Sequence, residues 1–142
     1  DWGEAQAAPK RYLAWLQAQH PGATITRKWA TLTAYCPCRI CCGEWAAVGR
    51  TAAGADPVDR GVAVASARLW RMRRAGEAIH VPGYMNKSWP GHAWLPDDTG
   101  SAMNRSHARG SFHIDLRYRN HAWAAEQGVR RGWVFIIRNP QP

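Results

Sequence analysis

The stretch Trp29-Ala30-Thr31-Leu32-Thr33-Ala34-Tyr35 is β-branched, aromatic and alternating, the pattern of a half-buried strand. Thr24-Ile25-Thr26, just upstream, has the same character. Further short runs of this kind follow at 61–65, 78–81, 112–116 and 133–137. Gly54, Pro57, Pro82-Gly83, Pro90-Gly91 and Pro96 punctuate them. Many short strands with few helices predict a mainly β fold, a small closed barrel or a sandwich.

Helical signals are sparse. Residues 1–8 read as a loose Ala-rich lead-in. Pro9 suits a first helical turn, Tyr12, Leu13, Trp15 and Leu16 give an apolar face, and Pro21-Gly22 end it. Two short helices are expected near 67–74 and 122–127, the second with Asn120 as N-cap and Gly128 beyond its end.

The chain has 142 residues, a formal net charge of +9 and nine tryptophans. That length fits one domain, and the composition excludes a membrane span, a collagen-like chain and a coiled coil. The chain begins at Asp1 without a methionine, so a mature form or a fragment is expected. The positive charge favours a polyanionic partner such as nucleic acid, an anionic membrane surface or an acidic wall polymer. The arginines are scattered and no nucleic-acid module is recognisable, so a nucleic-acid partner is not expected.

Cys36, Cys38, Cys41 and Cys42 lie together in a C-x-C-x-x-C-C run. This is not the spacing of a usual zinc knuckle. Disulfides or a local structural clamp are expected, with thiolate metal binding as the competing reading. Neither a cofactor nor a resident metal is predicted.

Asp115 stands between Ile114 and Leu116 and, on a strand, faces away from both. It is either a solvated outer-face carboxylate or a partly desolvated one with a raised pKa, suited to general acid work. Trp45, Trp89 and Trp94 fall on predicted loops and are candidate sugar platforms, since indoles stack on pyranose faces. Trp133 reads as core.

An ordered set of motifs then resembles a known family. Thr33-Ala34-Tyr35-Cys36-Pro37-Cys38 with Cys41-Cys42-Gly43 comes first, and Gly49-Arg50-Thr51-Ala52-Ala53-Gly54 second. Gly61-Val62-Ala63-Val64, Val81-Pro82-Gly83-Tyr84, Asp98-Thr99-Gly100-Ser101-Ala102-Met103, His113-Ile114-Asp115-Leu116 and Gly128-Val129-Arg130 follow. In this order they are similar to the 3D (three-aspartate) domain, the double-psi β-barrel shared with membrane-bound lytic transglycosylase A. The resemblance implies a six-stranded double-psi barrel over residues 30–138. A helical extension and lead-in strand would occupy 1–29, and a tail 139–142, with one or two small additional helices.

It further implies cleavage of peptidoglycan, with Asp115 as catalytic acid and Asp98 as its support. Tyr35 and Thr51 match positions lining the family's groove, and His113 would tune Asp115 or touch substrate. With Asp97, Trp45, Trp89 and Trp94 they form the expected substrate-binding set. The partner would be a polysaccharide, peptidoglycan or β-glucan, met by a monomer that is secreted or periplasmic. The barrel is also similar to family 45 endoglucanases and to expansins. An inverting endoglucanase would need Asp97, Asp98, Asp56 or Asp59 as base, about 6.5–9.5 Å from Asp115. A non-catalytic wall-binding module is the other alternative.

The chain departs from the family pattern in places. Ala65-Ser66 stand where the family has an aspartate after V-A-V. Ser101 and Met103 replace Gly and Ile in D-T-G-G-A-I. Two insertions, 86–94 and 104–110, add Trp89, His92, Trp94 and His107.

Overall fold

A computed structural model of the chain describes residues 1–56, 61–84 and 93–140. The expected platform Trp89, together with Asp59 and His92, lies outside them.

Two helices, α1 (Trp2–Ala7) and α2 (Pro9–Gln19), precede the long strand β1 (Thr24–Tyr35). A short helix α3 (Arg39–Cys42) and a 3-10 turn (Gly43–Ala47) follow. Next come β2 (Gly61–Val64), α4 (Ser66–Arg74), β3 (Glu77–His80) and β4 (Leu95–Thr99). The chain continues with α5 (Ser101–Ala108), β5 (His113–Arg117), α6 (His121–Gln127) and β6 (Arg130–Arg138). The six strands form one mixed sheet in the order β3-β6-β1-β5-β2-β4. Its two ends meet through an antiparallel bridge between Ile79 and Trp94, so the sheet is a nearly closed barrel.

Strand alternation sorts the side chains. Ala30 and Leu32 of β1, Val62 and Val64 of β2, Ile114 and Leu116 of β5, and Val134 and Ile136 of β6 share one buried core. Residues of opposite parity face outward, and two regions cover them. Ile25, Phe135 and Ile137 lie under Ala5 and Leu16 of α1 and α2. Tyr35 and Ala63 pack with Ala65 and Met103, at the other end of β1.

Several expectations need correction. Residues 1–8 are not loose, because Asp1 and Glu4 form a capping box that starts α1. From α1, Gln6 accepts from Trp133 N–H at 2.7 Å and donates to its carbonyl at 3.0 Å, as a neighbouring strand would. The described residues contain six α-helices, more than the three short ones expected. Residues 104–108 of the second insertion belong to α5, whose Met103 and Ser106 are buried. β4 was hidden by Pro96 and the turn-like Asp97-Asp98-Thr99-Gly100. It is tolerated because β4 ends the strand order, where a missing N–H breaks no second ladder. β1 runs unbroken across the 29/30 boundary. Among the described residues, no helix is long and apolar enough to cross a membrane.

Candidate active site

Four strands set one row of residues, three of which line a groove of about 630 Å³. Thr33 pairs with Asp115, Asp115 pairs with Ala63, and Ala63 pairs with Asp98. Neighbouring strands lie about 4.8 Å apart, so the Asp115 and Asp98 backbones stand roughly 10 Å apart with only Ala63 between them. The small Ala63 side chain leaves both carboxyls open to the groove, which Asp98, Ala63 and Asp115 line together.

The bulge in β4 decides which aspartate faces the groove. The register steps from Val62 opposite Pro96 to Ala63 opposite Asp98, leaving Asp97 as the extra residue. Asp97 lies buried beside Gly61 and forms a bidentate pair with Arg117, at 2.8 and 2.7 Å. Both side chains are almost wholly buried. Gly61 makes room, since a Cβ there would meet Asp97 Oδ2 at 2.2 Å. Burial raises the Asp97 pKa, against the opposing pull of Arg117. Burial also works against the Arg117 charge, but its bonds to Asp97 and Tyr35 outweigh it and raise its pKa. Asp97 is therefore the buried partner of Arg117 and does not line the groove.

Asp115 is the desolvated carboxyl. Burial lifts its pKa to about 6; the hydrogen bond from Thr33 lowers it, and the nearby Asp98 charge raises it. Thr33 Oγ1 donates to Asp115 Oδ1 at 2.9 Å and lies 2.8 Å from His113 Nε2. Ser106 Oγ lies 3.0 Å from His113 Nδ1. While Thr33 gives its one hydrogen to Asp115, it accepts from His113, which places that proton on Nε2. When Asp115 is protonated the same atoms can run in reverse, Asp115 to Thr33 to His113. Burial lowers the His113 pKa, aided by nearby Arg109 and Arg131 and opposed by a bond to the Ala102 backbone, so the ring is neutral at neutral pH.

Asp98 is held from three sides. Tyr35 donates to Oδ2 at 2.9 Å, and the backbone N–H groups of Ala52 and Thr99 donate to Oδ1 at 3.0 and 2.9 Å. Burial raises the Tyr35 pKa, keeping the phenol a donor. Thr51 shapes the loop that supplies Ala52: its hydroxyl accepts from Ala55 N–H at 3.1 Å, and its carbonyl from Gly54 N–H at 2.9 Å. Gly54 has φ +82°, which explains the glycine in that motif.

Trp45 stands on the groove wall, 72% exposed. Trp94 does not. It is 1% exposed, bridged to Ile79 at the barrel seam, and its indole N–H donates to the Tyr84 carbonyl. The expectation of a loop platform is corrected for Trp94 because that bridge turns the ring into the core. Asp56, considered as a second base, is exposed on the loop after Ala55.

Ala65, where the family pattern has an aspartate, is buried at the N-cap of α4 and makes no side-chain cap. Asn104 of α5 instead accepts from Ser66 N–H at 2.7 Å.

No disulfide joins the four cysteines in the structure, where disulfides or a local structural clamp were expected. Cys36, Cys38 and Cys41 converge on His121 instead of pairing, and Cys42 donates to the Cys36 carbonyl at 3.3 Å. Sequence reasoning missed Thr33, Ser106, Arg117 and His121. The first and third carried a readable signal, since each sits two residues from a singled-out neighbour on the same strand face. No protein-family model matches this chain, and neither does any curated protein.

Proposed function

We propose that the protein cleaves a cell-wall glycan, acting on peptidoglycan as a lytic transglycosylase. The observation that carries this reading is the row Thr33–Asp115–Ala63–Asp98. It sets one carboxyl, with its pKa raised to about 6, opposite a second carboxyl in an open groove.

In this reading protonated Asp115 gives its proton to the glycosidic oxygen as the bond from that oxygen to C1 of the muramic acid breaks. Asp98 faces the positive charge that develops at C1. Asp115, now a carboxylate, takes the proton of the muramic acid C6 hydroxyl, and that oxygen closes on C1. The product is a 1,6-anhydro sugar, and no water is consumed. Thr33 holds the Asp115 oxygen and, with His113 behind it, offers the proton a path between turnovers. Trp45 supplies a face for a pyranose ring. The double-psi topology, and a secreted or periplasmic location in which a basic protein meets an acidic wall, belong to the same proposal.

One observation favours a single working carboxyl over an inverting endoglucanase. The Asp98 oxygens are already engaged by Tyr35, Ala52 and Thr99, which leaves Asp98 poorly placed to hold and deprotonate a water. The missing third aspartate does not argue for a mere binding module, because Ala65 stands at the N-terminal boundary of α4 and is not part of the groove lining.

Digestion of purified sacculi followed by mass spectrometry tests the proposal. Release of 1,6-anhydromuropeptides by the wild type and not by Asp115→Asn supports it. Reducing-end products formed with water select the endoglycosidase reading. Binding without release selects the binding module.

A further inference from the structure

The cysteine run and His121 form a cluster that glycan cleavage does not use. The sulfurs of Cys36, Cys38 and Cys41 and the Nδ1 of His121 all lie within 4.8 Å of one another. Cys36 lies 3.6 Å from Cys41 and 3.6 Å from His121 Nδ1, and Cys38 and Cys41 lie 3.4 and 3.3 Å from that nitrogen. A tetrahedral zinc ion with bonds of about 2.3 Å to sulfur and 2.0–2.1 Å to nitrogen has S···S edges near 3.8 Å and S···N edges near 3.5 Å. Four of these separations fall close to those edges. Cys36 and Cys38, at 2.8 Å, are closer than an edge yet well beyond a disulfide of about 2.05 Å.

Three separate backbone features bring these atoms together. Cys36 directly follows the end of β1 at Tyr35, and Cys38 and Cys41 lie at the two ends of one turn, closed by Cys42 N–H on the Cys38 carbonyl at 2.8 Å. His121 arrives from far along the chain. The β1–β5 ladder is extended by Tyr118 N–H on the Tyr35 carbonyl at 2.7 Å, which carries the start of α6 alongside Cys36. Asn120 fixes that start by accepting from Ala122 and Trp123 N–H. The fourth cysteine is not part of the set, because its thiol is turned to the Cys36 carbonyl and lines the groove.

We infer that Cys36, Cys38, Cys41 and His121 form a structural site for a zinc-type divalent cation, closed by four protein ligands. Binding replaces the three thiol protons, which leave to solvent, and uses the neutral imidazole lone pair on Nδ1. With no open position the ion is not a catalyst. It ties the start of α6 to the arm whose Pro37, Cys42, Trp45 and Val48 line one wall of the groove. It also fixes the residue next to Tyr35, the donor to Asp98.

The test is metal content and Co²⁺ spectroscopy on the full chain, purified under reducing conditions without chelator. One zinc per chain by native mass spectrometry is expected. After exchange, Co²⁺ should give the intense visible bands of a tetrahedral ion and thiolate charge-transfer absorption of three sulfurs. Cys42→Ser should keep the ion, and Cys41→Ser and His121→Ala should each weaken binding at least tenfold. Wild-type chain that carries no zinc, takes up no Co²⁺, or loses 4 Da through two disulfides overturns the inference. So does a Cys42→Ser variant as impaired as Cys41→Ser, or a His121→Ala variant with unchanged affinity. The wild-type spectrum decides the matter even where a variant fails to fold.

Discussion

The floor of the groove and its cysteine-bearing arm are built on opposite principles. On the floor, strand pairing alone puts Thr33, Asp115, Ala63 and Asp98 in one row. In the arm, α3 and the 3-10 turn bury no residue, and their position depends on side chains gathered around Cys36. Backbone ladders therefore set the chemistry, while the wall beside it is held by a few atoms contributed from far along the sequence. Damage to the floor should cost folding, whereas damage to the arm should cost binding.

Arg117→Met gives the largest expected effect. It leaves Asp97 buried without its partner, and breaking such a pair costs about 3–5 kcal/mol. Urea unfolding should show the midpoint falling sharply, and replacing Asp97 by Leu in the same chain should recover much of the loss. If the single change leaves the midpoint in place, the floor is not held by this pair.

Asp115→Asn should act with the opposite sign on stability. Folding raises the Asp115 pKa from 3.8 to about 6, so the folded state gains from that proton below pH 4 and loses the gain as pH rises to about 6. Above that, an ionised, desolvated carboxylate burdens the wild type by about 3 kcal/mol, which asparagine avoids. Thermal melts should show the variant more stable than wild type at pH 7.5 and nearly equal to it at pH 3.5. Equal melting temperatures at both pH values would place Asp115 in water.

Trp45→Ala probes the arm. With 72% of the residue exposed, its removal should leave unfolding unchanged and weaken binding to insoluble glycan by about tenfold, or 1.4 kcal/mol. Smaller still, Ala65→Ser should restore a side-chain cap to α4 and raise stability by about 1 kcal/mol. A neutral result there would mean that Asn104 already does all the capping α4 needs.

The same contrast explains what was legible in the sequence. Asp115 could be read because Ile114 and Leu116 declare the buried face and strict alternation does the rest. Tyr35 and Thr33 follow from the same period of two. The different surroundings of Asp97 and Asp98 could not be read locally, because a bulge at one residue of β4 makes Asp97 the extra residue, buried against Arg117, and leaves Asp98 to line the groove. Asp97 needed Arg117 on a strand two places away in the sheet, and nothing local marks that pair. Trp94 looked like a loop residue because Pro90 and Pro96 flank it, and only the closing bridge to Ile79 reveals its burial. His121 carries no local ligand spacing at all. Its link to the cysteines exists only once β1 and β5 lie side by side.

The central claim is that a protonated Asp115 does the work of the groove. The direct measurement is the rate of 1,6-anhydromuropeptide release from sacculi against pH, for the wild type and Asp115→Asn. Wild-type release should fall as pH rises through about 6, and the variant should lose about 10²–10⁴-fold below that pH. Release by Asp115→Asn at the wild-type rate, or a wild-type rate that is flat from pH 5 to pH 8, would contradict it.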